Sequence, residues 1–140
     1  MAYEDSLRSV TLNADSTLAV YTGVPGLPGS ADPNGGKQYN FVKVTGARQC
    51  GLATAAANEI PVGVLQNKPQ YTGQAATVGL RGISKVEAGG NVSAGNAIKI
   101  KATGQGVAAT LPADVALVVG IALSSAADGQ IFTCLLQLGN

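Results

Sequence analysis

The side chains able to do chemistry are few and scattered. Two of the eight carboxylates, Glu4, Asp5, Asp15, Asp32, Glu59, Glu87, Asp114 and Asp128, could share acid–base work of the glycosidase kind if folding paired them. Most stand beside Gly, Pro, Asn or Ser, however, and read as solvated turn acids. Histidine is absent. That removes the commonest general base, the commonest metal ligand and every Ser-His or Cys-His nucleophile pair. Cys50 and Cys134 are too few for a structural zinc site, which takes four nitrogen or sulfur ligands, and they read as small buried hydrophobes. The chain is expected to be no enzyme, with no catalytic, cofactor-binding or metal-ligating residues.

Three short motifs look functional and are better read as turns. Gly104-Gln105-Gly106-Val107-Ala108-Ala109 matches the G-x-G-x-x-A dinucleotide fingerprint. That fingerprint needs a helix whose N-terminus points at a pyrophosphate, whereas here Pro112 follows within a turn and the next run is strand-like. A β-hairpin is expected. Asp32-Pro33-Asn34-Gly35 lacks the alternating oxygens and distal Glu of a calcium loop. Asn91-Val92-Ser93 is a glycosylation sequon without a secretory signal.

The elements that hold these residues should be strands. Of the 140 residues, 46% are hydrophobic but only 4% aromatic and 12% charged, with 19 glycines. Small apolar side chains and many glycines suit short strands and tight turns rather than surface helices. Thr54–Glu59 and Pro112–Val115 are the best helical candidates, each about one turn, and segments that short are marginal. The net charge is +1, and the last 39 residues carry no basic side chain. A basic stripe for phosphates is missing, so no nucleic-acid partner is expected. The longest apolar run, Val115 to Leu123, falls short of the ~20 residues of a membrane helix. With no apolar segment after the acidic start, synthesis in a cytoplasm is expected, with no membrane partner.

Residues 1–36 read as an extended arm. Val10 and Leu12, then Leu18 and Val20, alternate with polar or small residues as strands do. The stretch from Gly23 to Gly36 holds three of the six prolines, a composition for a long loop. Leu7, Arg8, Val10, Leu12, Tyr21, Val24 and Leu27 are the residues expected to grip a partner, and the arm is expected to be separable from the fold.

From about residue 37 to 140 the chain repeats itself loosely, in units of about 41–82 and 98–138. Lys43-Val44-Thr45-Gly46 answers to Lys101-Ala102-Thr103-Gly104, and Pro61-Val62-Gly63-Val64-Leu65 to Val118-Val119-Gly120-Ile121-Ala122. Gly73-Gln74 answers to Gly129-Gln130, and Ala76-Thr77-Val78 to Phe132-Thr133-Cys134. The offset drifts from 58 to 57 to 56 along these pairs. Ile98 and Ile100, alternating with lysines, give the clearest strand signal. Gln130–Leu138 should be buried on both faces or lie against a neighbour. The expectation is an all-β fold, a small barrel or sandwich made of two repeated units, with Val92 as a plug.

The second half resembles the capsid cement, or head decoration, proteins of tailed bacteriophages. The resemblance is carried by Glu87-Ala88-Gly89-Gly90-Asn91-Val92-Ser93-Ala94-Gly95-Asn96-Ala97-Ile98-Lys99 and by Val119-Gly120-Ile121-Ala122-Leu123-Ser124-Ser125-Ala126-Ala127-Asp128-Gly129-Gln130. It spans about residues 40–138. It implies a non-catalytic, barrel-like protein, commonly a homotrimer, seated on the outer surface of the virion's capsid with the major capsid protein as partner. A tail-tube or baseplate β-domain is the nearest alternative. A carbohydrate- or receptor-binding module is a further one, although only Tyr3, Tyr21, Tyr39 and Tyr71 offer aromatic hydroxyls.

Overall fold

A computed structural model describes residues 7–21 and 36–138. Among these residues it is a nine-stranded all-β fold: β1 (Arg8–Ala14), β2 (Phe41–Gly46), β3 (Gln49–Leu52), β4 (Pro61–Leu65), β5 (Ala75–Glu87), β6 (Ala97–Ile100), β7 (Gly106–Ala108), β8 (Gly120–Ala122) and β9 (Ile131–Gln137). The strand order β1-β3-β2-β4-β5-β9-β8-β6-β7 closes on itself through a further β1–β5 pairing. The first five strands therefore form a barrel, which removes their edges. The two helical candidates are a turn at 54–59 and a single 3-10 turn at Val115–Leu117.

The pairing register recurs along the chain and includes residues outside the two units expected from the sequence. Val42 pairs with Leu52 and Gly63, and 56 residues later Ile98 pairs with Ala108 and, at an offset of 57, with Gly120. Val64 pairs with Gly79 as Ile121 pairs with Leu135. The counterpart of Lys43 is thus Lys99, not Lys101, so the first offset is 56 rather than 58. The Gly73-Gln74 and Gly129-Gln130 turns match as expected, with both glycines left-handed, at φ 90° and 81°. Only glycine adopts that conformation without penalty.

The arm boundary at residue 36 is corrected. β1 pairs antiparallel with Ala75–Arg81 of β5, while Asn13 and Ala14 pair parallel with Gln49 and Cys50. Ala14, Leu18 and Ala19 are fully buried. Removing 1–36 would therefore open the barrel and empty part of its core. The second half of β5 plays the part of β1 for the second repeat: Leu12 faces Ala76 as Val86 faces Phe132, and Ala14 bridges Cys50 as Ala88 bridges Gly106. Long β5 is thus the last strand of one five-strand unit and the first of the next.

Two cores result. The first holds Ala14, Leu18, Val42, Cys50, Leu65, Ala76 and Val78. The second holds their counterparts Ala88, Val92, Ile98, Ala122, Phe132 and Cys134, with Gly106 at the place of Cys50. Val92 is the expected plug, and Leu18 fills the same role in the first barrel. Burying these side chains supplies the main driving force for folding, roughly 25 cal/mol per Å² of apolar surface. The glycine of each Val-Gly strand, Gly63 and Gly120, is set by backbone crossing. A Cβ on Gly63 would lie 2.2 Å from the Gly79 carbonyl oxygen, and one on Gly120 would lie 2.5 Å from that of Leu135.

Candidate interaction surface

The loop after the third strand of each repeat carries apolar side chains to the surface, and a carboxylate ties each loop down. In the first repeat Glu59 accepts from Lys43 Nζ at 2.7 Å, from the Thr54 hydroxyl and amide at 2.7 Å each, and from the Ala55 amide at 3.0 Å. Burial alone would raise the Glu59 pKa, but these donors outweigh it and hold the carboxyl down at about 2. In the second repeat Asp114 accepts from Lys99 Nζ and from the Thr110 amide, both at 2.8 Å, and its pKa is lowered chiefly by the lysine. The same lysine position serves both loops, so the turn acids foreseen at 59 and 114 are anchored rather than free.

The anchored loops present Ile60, which is 80% exposed, and Leu111, Val115 and Leu117, each more than half exposed. Between them lies an open groove of about 740 Å³, floored by Ala97, Ile100 and Ile121. A second depression beside Val44, Val62 and Ile60 lies on the other side of the first loop. An apolar surface of this kind, carrying only charges already paired, suits protein contact rather than a charged ligand.

The repeats are joined by a polar bridge as well as by packing. Buried Asn40 donates to Glu87 Oε2 at 2.7 Å, Gln105 donates to Glu87 Oε1 at 3.0 Å, and the Phe41 amide donates to the Gly104 carbonyl at 2.8 Å. Tyr39, left-handed at φ 68°, accepts from the Glu87 amide at 2.9 Å. Glu87 is therefore a structural connector.

The residues expected to grip a partner are dispersed. Leu7 packs against the second apolar cluster and Leu12 against the first, while Arg8 and Val10 are exposed on β1. Tyr21 stacks on Tyr71 with centroids 5.8 Å apart and planes at 29°. Val24 and Leu27 lie outside the described residues. The sequence reading missed the loop residues Ile60, Leu111, Val115 and Leu117. Their signal was apolar side chains in turn-rich segments, beside an acid spaced to reach a strand lysine.

Gly104–Ala109 is the expected hairpin, with Gly104 left-handed at φ 84° and Gly106 inside β7. Among the described residues no three His, Cys, Asp or Glu side chains cluster as metal ligands would, and no helix is long and apolar enough to cross a membrane. Cys50 and Cys134 are free and buried in separate cores. Burial pushes their thiols up to about 11 and about 12 respectively, with nearby Asp15 adding to the shift at Cys50.

No protein-family model matches the sequence, and no curated protein matches it significantly. Among solved structures the fold is similar to that of the N base of the head fiber gp8.5 of bacteriophage phi29. The TM-score is 0.61 at 21% identity, and the match covers 94% of this chain and 95% of that one. The two share a fold along nearly their whole lengths.

Proposed function

We propose that this chain is a non-enzymatic structural protein of a phage virion, which binds the outside of the expanded capsid and reinforces it. The observation that carries this reading is the likeness in fold, along nearly the full chain, to a protein of the phi29 head fiber. The resemblance of residues 40–138 to capsid decoration proteins, read from sequence, supports it independently. So does the chemistry, because the two anchored loops expose apolar side chains and the lysine–carboxylate pairs beside them are already satisfied.

The mechanism is differential binding. A shell filled with DNA is pushed outward, and the junctions between its subunits are its weak points. A rigid β-protein that spans such a junction only in the expanded arrangement stabilises that arrangement by the binding free energy it gains there. Assembly as a homotrimer, which the resemblance implies, would multiply the grip by avidity. The partner is the major capsid protein.

The test is co-sedimentation of purified protein with expanded, undecorated shells and with immature ones. Saturable binding to the expanded shell alone is the expected result. Binding to neither shell would overturn the reading.

A further inference from the structure

Within the chain the two repeats meet through surfaces that are not the same on each. Phe41, Ala53 and Val64 form the outer wall of the first barrel: Phe41 is the register partner of Val64, and the Ala53 amide donates to the Phe41 carbonyl at 2.9 Å. All three are fully buried in one cluster with Val119, Leu136 and Leu138 of the second repeat. By register, the same wall on the second repeat consists of Ala97, Ala109 and Ile121, with Leu135 at the place of Gly79. These four are only half-buried.

The receiving side shows the complementary pattern. Ile100 packs against the shared cluster, and Val119 and Leu136 are buried in it. Their counterparts on the first repeat differ: Val44 is 56% exposed, and Val62 and Leu80, half-buried as Ile100 is, pack against the first repeat's own core rather than the shared cluster. Each repeat thus owns a wall and a receiving end. The internal contact uses the wall of the first repeat and the end of the second. It leaves uncovered the end of the first and the wall of the second, where the surface depressions at Val44–Val62 and at Ala97–Ile121 lie. The lysines beside both surfaces, Lys43 and Lys99, are already neutralised by Glu59 and Asp114.

We propose that these two surfaces mate between copies, so that the chain self-associates wall to end and repeats between molecules the contact its own repeats make. Unlike a face-to-face dimer, such an interface is heterologous and closes only as a ring. The inference deepens the self-association in the reading above by naming its surfaces, and it does not depend on capsid binding.

Sedimentation velocity on the full chain tests it. Wild-type protein should sediment as a multiple of the 13.9 kDa chain. Val44→Glu, which blocks the end, and Ile121→Glu, which blocks the wall, should each be monomeric. Mixed, they should form a species of two chains, because each retains the surface the other lost. Ala97→Glu repeats the wall test should Ile121→Glu fail to fold, with circular dichroism as the folding check. A monomeric wild type would overturn both the inference and the self-association while leaving capsid binding open. Folded variants that remain oligomeric singly, or stay monomeric when mixed, would overturn the wall-to-end arrangement alone.

Discussion

The ring of Phe132 lies against the bare α-carbon of Gly106: a methyl group there would come within 3.1 Å of Phe132 Cζ and 2.9 Å of Val86 Cγ1. The first barrel solves the same packing problem differently, with Ala76 at the place of Phe132 and Cys50 at that of Gly106. Large against none and small against medium fill comparable space, which is how one backbone plan carries two cores of different sequence.

Gly106→Ala should therefore destabilise the protein by about 1–3 kcal/mol through overpacking. Phe132→Leu should recover part of that loss, because residues in contact couple by about 0.5 kcal/mol or more. Urea unfolding of the two single variants and the double variant measures this. Strict additivity would contradict the packing relationship.

Stability should fall with acid through Glu59. Its folded pKa of about 2 lies below the ordinary 4.5. The anchoring is therefore complete above about pH 4.5 and is lost as pH drops toward 2. Glu59→Gln should melt below wild type at neutral pH but decline less steeply in acid, so that the two melting curves converge. Parallel pH profiles would place the anchoring elsewhere.

Neither cysteine should react with a thiol reagent under native conditions. Both are buried, and desolvation holds their pKa values at about 11 and about 12, so the thiolate fraction at neutral pH is negligible. In denaturant both should titrate, and at the native protein's slow rate the reagent reports unfolding. Fast modification of the native chain would contradict the separate, sealed cores.

Between Leu18 and Phe41 the first repeat carries 22 residues where the second, between Val92 and Ala97, carries four. Deleting 1–36 should abolish the cooperative thermal transition seen by circular dichroism, because β1 closes the barrel. A truncated chain that still melts cooperatively near the wild-type temperature would contradict that closure.

Glu87→Ala should cost about 1–3 kcal/mol, since Asn40, almost fully buried, would lose its carboxylate partner. Glu87→Gln, which keeps an acceptor, should cost less. Equal losses for the two would mean that the bridge between repeats is packing alone.

The amino-acid sequence by itself determined the all-β class, the Val-Gly strands, the Gly-Gln turns and the lack of histidine chemistry. Each of these is a property of neighbouring residues: period-two alternation, left-handed glycines, side-chain inventory. Only the tertiary structure decided that Leu12-x-Ala14-x3-Leu18 repeats as Val86-x-Ala88-x3-Val92, because the second copy is hidden in the latter half of one continuous strand and the interposed segment shifts its offset. Tertiary packing also decided which equivalent residues are covered. Val44 and Ile100 occupy the same strand position, yet Val44 is more than half exposed and Ile100 is half-buried against the cluster the two repeats share, since burial depends on what packs against a strand and not on the strand's own letters.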